Sequence, residues 1–516
     1  MHLISICDVR LIWSCQGHTP SAHVLLLRAE QDRQVTVHSI PWRSFGHFPR
    51  PAFSTPNSPP PPTRARALPP LVIMLKKLQK AVLFVRLVGY TLRLYVDFIS
   101  RSYTTKKITA NPASKDAEPI NIVVVGASFA GYHAARVIAT SLPADGPYRL
   151  IIVEPNRHWQ FTWTLPRFCV VEGHEHKTFI PYGPYLPAGS ESIVRWVHDR
   201  VSTITEKTVT IQGTGEEIPY SYMVIATGSG VGMSLPSRVG STDKAEGVRL
   251  LENFQQRIKA AKNLVVVGGG AAGVELATDA KDQYPEKNVT LVHSRDAVMN
   301  RFGQDLQIGA LKGLKELGIE VILGERTTTD SPVDGFVTLR SGRKVECDFL
   351  VNAIGQQPSS QLISEFAPEA VAKTGRIKVK PTMQIDVDSL PNIYVCGDVA
   401  EAGVTNPNAR AAMKQAIYAA DNLVLALQGK PPTNIYQHYW ADGVIKLTLG
   451  LHKSITAFGI GDTELLFHAK EKEVTLMIEQ AWTNMGAKPY EDKEYQAGNA
   501  QDSGTTKVLE VANEIV

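Results

Sequence analysis

The sequence lacks any closely spaced pair of cysteines. Its five cysteines, at positions 7, 15, 169, 347 and 396, have neither CxxC nor CxxxxC spacing and form no cluster of metal ligands. This pattern excludes a secreted disulfide scaffold and predicts no metal site. The chain of 516 residues, 43% of them hydrophobic, is long enough for two or three globular domains with sizeable cores.

An uninterrupted apolar run of membrane-spanning length is missing from the most apolar stretch, residues 74–101. Arg86, Arg93 and Asp97 interrupt every window of the roughly 20 residues that a span needs. On a helical wheel they share one side with Arg101, which favours a basic amphipathic helix lying at a membrane surface. A mitochondrial targeting helix and a helix packed on the body are the alternatives.

The excess of basic over acidic residues is confined to the N-terminal part of the chain. Residues 1–115 carry 16 Lys and Arg against 4 Asp and Glu, whereas the remainder carries 38 against 46. The mildly acidic body therefore disfavours nucleic-acid binding. Residues 1–73 include a proline-rich run that cannot build a core, so this extension is predicted to be disordered. Translation from Met74 is a further hypothesis, which native peptides from residues 1–73 would contradict.

The strongest motif is a β-branched run followed by a glycine turn and a helix, beginning at Ile120. The free N–H groups of such a helix hold a pyrophosphate. The next predicted strand ends at Glu154, where a carboxylate can accept both hydroxyls of a ribose. The alternative is a glycine-rich turn in another kind of α/β protein, with Glu154 merely solvated. The predicted contacts in the turn are Gly126, Ser128 (where a glycine is usual), Ala130 and Gly131.

A second copy of the motif follows, and two copies in one chain predict two nucleotide sites. Its second strand ends in His293 with Arg295 close behind, where the first copy has Glu154. The missing acid and the nearby arginine favour the 2′-phosphate of NADPH over NADH. The alternative is that Arg295 is simply solvated. The glycines of the second turn are Gly268, Gly270 and Gly273.

Two further strand ends indicate an internal duplication. Ala226, Thr227 and Gly228 close the first half, and a similar turn ending at Gly355 closes the second. Gly397 and Asp398 end a later strand, and Asp398 is expected to bond a ribitol hydroxyl. This order predicts that one domain is inserted in the other.

These motifs resemble the two-dinucleotide flavoprotein reductases. The resemblance extends over residues 119–490 and implies FAD and NAD(P)H as cofactors, and quinones as electron acceptors. The segment after Glu154 would approach the flavin, with Arg167 on a phosphate or on the flavin edge, or else in a surface ion pair. Segments resembling the apoptosis-inducing-factor-like group, of the mitochondrion-associated or ferroptosis-suppressor type, are 165–168, 172–173, 179–182 and 481–485.

The expected chemistry is hydride transfer from NADPH to the flavin, then delivery of electrons to a lipophilic quinone. Disulfide reductases of this architecture need a cysteine pair beside the flavin, and here only Cys169 is near, so electrons should leave the flavin directly. Glu275 is expected near the nicotinamide, while Lys414 and Gln415 border the acceptor pocket or lie on a solvated helix face. A sulfide oxidase, a redox-sensing flavoprotein acting through a partner, and a type II NADH dehydrogenase are the alternatives.

The predicted fold is α/β, with two Rossmann-like dinucleotide-binding domains, the NAD(P) domain inserted in the FAD domain, and a small C-terminal α+β domain. The last domain would cover the flavin or make a dimer or membrane contact. A location on the cytoplasmic face of a membrane or at the mitochondrion is expected. The predicted boundaries after residue 101 are a linker over 102–118, FAD domain over 119–235 and 351–428, NAD(P)H domain over 236–350, C-terminal domain over 429–490 and disordered tail over 491–516.

Overall fold

The computed structural model describes residues 70–104, 108, 119–230, 235–460, 463–493 and 495. The predictions for residues 1–69, for most of the linker and for the end of the tail lie outside the described residues.

The first sheet is parallel and is built from two separate parts of the chain. Its inner strands are mostly apolar and buried on both faces, as parallel strands are when helices cover them. The strand of this sheet that comes last in the chain pairs directly with one from the first part, which confirms the predicted insertion. Helices α2 (Phe129–Ser141) and α8 (Ala409–Leu427) pack against each other on this sheet. The strand order is β19 (Ile393–Val395), β9 (Tyr222–Ile225), β1 (Ile120–Val125), β2 (Tyr148–Val153) and β5 (Val194–Val197).

The inserted part forms a second parallel sheet. Its last strand ends at Asn352, so the boundary predicted at residue 350 was too early. The sheet has the order β13 (Glu320–Leu323), β12 (Asn288–His293), β11 (Asn263–Val267) and β16 (Phe349–Asn352). The helices of this part are α4 (Lys244–Ala260), α5 (Ala271–Gln283) and α6 (Gln304–Glu316).

Short strands, antiparallel except for one parallel pair, connect and flank the two sheets. The chain crosses between the two parts where β10 (Ser229–Gly230) pairs with β17 (Gln357–Pro358). Two short helices, α3 (Leu165–Phe168) and α7 (Gln361–Phe366), lie between strands. The remaining strands are β3 (His158–Gln160), β4 (Phe179–Pro181), β6 (Val201–Ile204), β7 (Thr208–Ile211), β8 (Glu217–Pro219), β14 (Phe336–Thr338), β15 (Lys344–Glu346), β18 (Ile377–Lys378) and β20 (Ala400–Glu401).

The C-terminal segment packs on both cores. Strands β21 (Ile445–Thr448), β22 (Lys453–Ile460) and β23 (Thr463–Lys470) form an antiparallel sheet, and Leu447 joins the core of the second parallel sheet. Helix α9 (Ile478–Asn484) buries Trp482 in the core of the first. The predicted start of a disordered tail at residue 491 was wrong, because Asp492 is 4% exposed and ion-paired.

A long helix, α1 (Pro70–Thr104), precedes the body and exceeds the predicted span of 74–101 at both ends. Leu83 and Tyr90 are buried, and Tyr90 stacks on Tyr439 of the body, while Met74, Val85 and other apolar residues on the opposite side are exposed. Within the described residues, no helix is both long and apolar enough to cross a membrane.

Candidate active site

The first glycine turn is held by contacts that no larger residue allows. A Cβ on Gly131 would lie 1.8 Å from the carbonyl oxygen of Gly126, so α2 can start this close to β1 only with glycine there. Gly126 has φ +90°, and its own Cβ would meet the Ala226 carbonyl at 2.6 Å. The first N–H groups of helix α2 therefore lie beside the glycine turn, an arrangement that fits a dinucleotide pyrophosphate.

Ser128 departs from the usual glycine without strain. It caps α2 with φ −80°, and its counterpart Gly270 caps α5 with the same φ. A Cβ on Gly270 would meet no atom within 4 Å. A small side chain is therefore tolerated at this position.

Glu154 lies at the carboxyl end of β2 and is 5% exposed. Its Oε2 accepts a hydrogen bond from the Ala127 N–H at 2.6 Å, and its Oε1 accepts one from the Asn156 N–H at 2.9 Å. Oε1 also accepts from the Asn156 side-chain amide, whereas Oε2 keeps a lone pair to which a ribose hydroxyl can donate. The contacts fit the predicted ribose role.

The turn at Gly397 and Asp398 meets the first turn. Gly397 has φ +86°, and a Cβ there would lie 3.0 Å from the Ala130 Cβ. Gln415 Oε1 accepts the Gly397 N–H at 2.8 Å, and Ser229 Oγ donates to Asp398 Oδ2 at 3.1 Å. Burial raises the pKa of Asp398. Residues distant in the chain thus share one site, in which Gln415 positions the turn.

Arg238 is a further candidate for the site, and no sequence motif marked it. Burial lowers the pKa of its guanidinium, and the nearby charges of Asp398 and Glu154 act in the opposite direction. The cation therefore lies near both the acid at the ribose end and the acid at the ribitol end. A pyrophosphate that joins those two parts of FAD would find a countercharge there.

Replacing Arg238 by Gln is expected to weaken FAD binding by roughly tenfold to a hundredfold, since a charge-assisted hydrogen bond contributes about 1.5–3 kcal/mol. Fluorescence titration of the apoprotein with FAD measures the effect. Arg149, exposed on β2, provides the matched control as Arg149→Gln. Equal affinity of both variants would contradict the assignment.

The second glycine turn repeats the geometry of the first. A Cβ on Gly273 would lie 1.9 Å from the Gly268 carbonyl oxygen. A Cβ on Gly268 would lie 2.4 Å from the Ala353 carbonyl oxygen. His293 Nδ1 accepts a hydrogen bond from the Gly269 N–H at 3.0 Å. At the equivalent position of the first copy, Glu154 accepts a hydrogen bond from the Ala127 N–H. An imidazole therefore replaces the carboxylate at the ribose position.

The strand ends of the two halves have different roles. Ala226 packs beneath the first glycine turn, whereas Thr227 Oγ1 donates to the Ser359 carbonyl at 2.7 Å, and Gly228 accepts the Ser359 N–H. Thr227 and Gly228 thus hold the crossover between the domains. Gly355 is exposed, and a Cβ on it would meet no atom within 4 Å, so nothing in its surroundings requires a glycine.

Arg167 differs from the prediction. It is 1% exposed and forms a buried ion pair with Asp279 of α5, with Nε 2.7 Å from Oδ2. Its other nitrogens donate to the carbonyls of Gly450 and Val474. The guanidinium therefore links α3 to α5 and to the C-terminal segment, and neither a phosphate nor the flavin edge has to be invoked as its partner.

Glu275 lies one turn before Asp279 on α5 and is also buried. Its Oε1 accepts the Thr448 N–H at 3.1 Å, which joins α5 to β21. Burial raises the pKa of this carboxyl to about 8, so the side chain carries its proton at neutral pH. The predicted approach to the nicotinamide remains a prediction.

The raised pKa makes stability depend on pH. Below the ordinary pKa of a glutamate, Glu275 is protonated in both the folded and the unfolded chain. Between that pKa and about 8, the unfolded chain has lost this proton while the folded protein keeps it. The free energy of unfolding therefore falls as the pH rises towards about 8. Glu275→Gln should remove this decline, because the amide stays neutral and its oxygen still accepts from Thr448. Thermal unfolding midpoints of both proteins between pH 5 and 9 test it; parallel curves would contradict it.

Lys414 is turned away from solvent rather than lying on a free helix face. Its Nζ lies 2.8 Å from Oδ2 of Asp442, a carboxylate with no exposed surface. Its ammonium also lies 5.9 Å from the ring centroid of Tyr436. Whether Lys414 borders an acceptor pocket remains a prediction.

A cavity of about 270 Å³ lies beside the loop that follows Glu154. Asp492 of the C-terminal segment closes it by bonding His158 Nε2 at 2.9 Å and Lys244 Nζ at 2.6 Å. The lining rings of Tyr182, Trp196 and His198 already pack on one another, with centroids 4.7 Å and 5.7 Å apart. The lining of the cavity includes Arg157, Tyr182, Trp196 and His198.

Residues 120–422 match the family model described as pyridine nucleotide-disulphide oxidoreductase. The chain belongs to this family. The α/β fold with two dinucleotide-binding domains is thereby confirmed, and so are FAD and NAD(P)H as the cofactors of an oxidoreductase.

Comparison with individual proteins shows which members of this family the chain is similar to. Fe-regulated protein 8 of Mycosarcoma maydis is 30% identical over 407 residues, covering 73% of this chain and 98% of that protein. Ferroptosis suppressor protein 1 of Xenopus laevis is 28% identical over 387 residues, covering 72% and 96%. The structure of reduced Bacillus anthracis CoADR-RHD shares the fold, with a TM-score of 0.53, 22% identity and coverage of 67% and 62%. The predicted ferroptosis-suppressor-type resemblance is confirmed.

Proposed function

We propose that this oxidoreductase passes electrons from NADPH through FAD directly to a lipophilic quinone, without a redox-active disulfide. The observation that carries the proposal is the state of the thiols. In the described part of the chain, Cys169, Cys347 and Cys396 are buried and form no disulfide. Burial raises the pKa of all three, which disfavours the thiolate that disulfide exchange requires.

Each part of the site then has a defined task. When bound, FAD supplies the redox chemistry, taking a hydride from NADPH and giving electrons to the acceptor. The N-terminus of α2 and Arg238 would hold the pyrophosphate, and Glu154 would hold the ribose. Gln415 fixes the turn that carries Asp398. The protein thus supplies binding, orientation and electrostatics.

Preference for NADPH is supported by the second ribose position. Burial lowers the pKa of His293, and the nearby charges of Arg295 and Arg326 lower it further. Two cations close to this imidazole provide the charge that a 2′-phosphate requires, and the position offers no carboxylate for a 2′-hydroxyl.

Replacing Arg295 by Ala should raise the KM for NADPH at least tenfold and leave the KM for NADH within about twofold, because only NADPH carries the phosphate. Steady-state kinetics with both nucleotides measure the split. An equal change in both would assign Arg295 a structural role.

A membrane surface is the proposed partner of α1, on the cytoplasmic face of a membrane or at the mitochondrion. Met74, Leu78, Val85, Leu92 and Val96 are each more than 60% exposed and share the side of the helix opposite Leu83. Exposed basic residues, including Lys77 and Arg86, flank this apolar stripe. The combination suits a helix lying in the surface of an anionic bilayer.

The decisive experiment mixes the full chain with excess NADPH without oxygen and follows the flavin band near 450 nm, a wavelength set by the cofactor. Rapid bleaching, reversed by a short-chain quinone, is expected. A flavin that NADPH leaves oxidised, or a reduced flavin that quinone does not reoxidise, would contradict the proposal.

A further inference from the structure

Helix α1 has one face on the body and another facing away from it. Leu83 is 3% exposed and Tyr90 9%, and Lys80 Nζ lies 2.8 Å from Asp305 Oδ2. Leu87 and Leu94, at helical spacing from these residues, are half-buried. Since the exposed apolar stripe runs along the opposite side, the body and a membrane can contact the helix at the same time.

The face of α1 that is turned towards the body, the docked face, contacts a buried carboxylate, that of Asp442. It accepts hydrogen bonds from the Tyr90 hydroxyl, from Lys414 Nζ at 2.8 Å and from the Tyr439 N–H at 2.9 Å. The rings of Tyr90 and Tyr439 stack, with centroids 4.8 Å apart and planes 10° apart. We call this group, Tyr90, Lys414, Tyr439 and Asp442, the latch.

The latch is joined to the flavin site through α8. Lys414 provides the ammonium that compensates Asp442, and the next residue, Gln415, holds the Gly397 N–H. The two residues are consecutive on a helix whose packing against α2 forms part of the FAD domain. A displacement of α1 relative to α8 would therefore change its position relative to the flavin turn.

We infer that Tyr90 is a positioning residue: through Asp442 it fixes α1 to α8, and so sets the height of the flavin site above the membrane in which the quinone is dissolved. This inference rests on the proposed function. A quinone confined to the bilayer must meet the site at that height, whereas a water-soluble quinone reaches it from any direction. The latch should matter only for the first.

The energetics favour a specific latch over loose packing. A hydroxyl bound to a buried carboxylate forms a charge-assisted hydrogen bond, and its removal leaves the carboxylate with one donor fewer. Tyr90→Phe removes that bond and keeps the ring stack, whereas Tyr90→Ala removes both. Thr91→Val is the matched control, because Thr91 Oγ1 donates to the helix's own Leu87 carbonyl.

The test uses the full chain on vesicles of anionic phospholipid that contain a long-chain isoprenoid quinone, beside the same protein with a short-chain soluble quinone. Tyr90→Phe should lower the vesicle rate by about fivefold or more and Tyr90→Ala further, with the soluble rate and vesicle cosedimentation unchanged. Hydrogen exchange of residues 83–94 should quicken about tenfold or more in both variants, and not in Thr91→Val.

Unchanged exchange in Tyr90→Ala would overturn the inference, as would an equal fall in both quinone rates or a loss of vesicle binding. Should the wild-type protein reduce neither quinone, the proposed function fails, and the exchange measurement alone still decides whether the latch exists. Val85→Glu with Leu92→Glu separately tests the membrane face: it should abolish cosedimentation and leave the exchange of the docked face unchanged.

Discussion

Gly131→Ala is expected to give a protein without bound flavin. The added methyl group would lie 1.8 Å from the Gly126 carbonyl oxygen, so α2 must move away from β1 and its N–H groups leave the pyrophosphate position. The measurement is the ratio of flavin absorption to protein absorption after purification, followed by titration with FAD. Affinity should fall by at least a hundredfold, and normal flavin content would contradict the assignment.

The matched control is Gly273→Ala, in which the methyl group would meet the Gly268 carbonyl oxygen at 1.9 Å. The same steric conflict arises in the second domain, so this variant should keep its FAD and lose NADPH affinity instead. Anaerobic titration of the flavin band with NADPH and with dithionite separates the two functions. Loss of FAD from both variants would show general misfolding rather than two distinct sites.

Arg167→Met is expected to lower the free energy of unfolding by about 3–5 kcal/mol, because it leaves the buried Asp279 carboxyl without its partner. Asp279 has no exposed surface, and burial already raises its pKa to about 6. Urea denaturation followed by tryptophan fluorescence measures the loss. A change below about 1 kcal/mol would mean that the ion pair does not support the domain contact.

The double variant Arg167→Met with Asp279→Leu distinguishes the two interpretations of Arg167. If the arginine acts through the ion pair, removing both charges should restore most of the stability and leave FAD binding normal. If it also contacts the flavin, as the sequence predicted, stability should return while FAD affinity stays low.

Positions decided by the backbone were predictable. Gly126, Gly131, Gly268 and Gly273 each meet a carbonyl closely, a requirement that leaves glycine as the only choice and is therefore visible in the sequence. The acid at Glu154 follows from the same logic, since it ends a strand at a fixed distance from the turn. The duplicated motif also predicted the inserted domain.

Side chains whose partners lie far along the chain were not predictable. Arg167 meets Asp279 across 112 positions, and Arg238 belongs to the site only because the crossover brings it near Asp398. Neither residue has a local pattern that distinguishes it from a solvated arginine.

The sequence by itself determined the two dinucleotide folds, their order and their cofactors, because glycine turns and strand ends are local constraints on backbone geometry. Only the tertiary structure decided which residues of the body α1 contacts. Its amphipathic pattern shows an apolar stripe and a charged side but does not say what each side contacts. The partner of Tyr90 is Asp442, 352 positions away, and burial of that carboxylate required the helix and the body to come together.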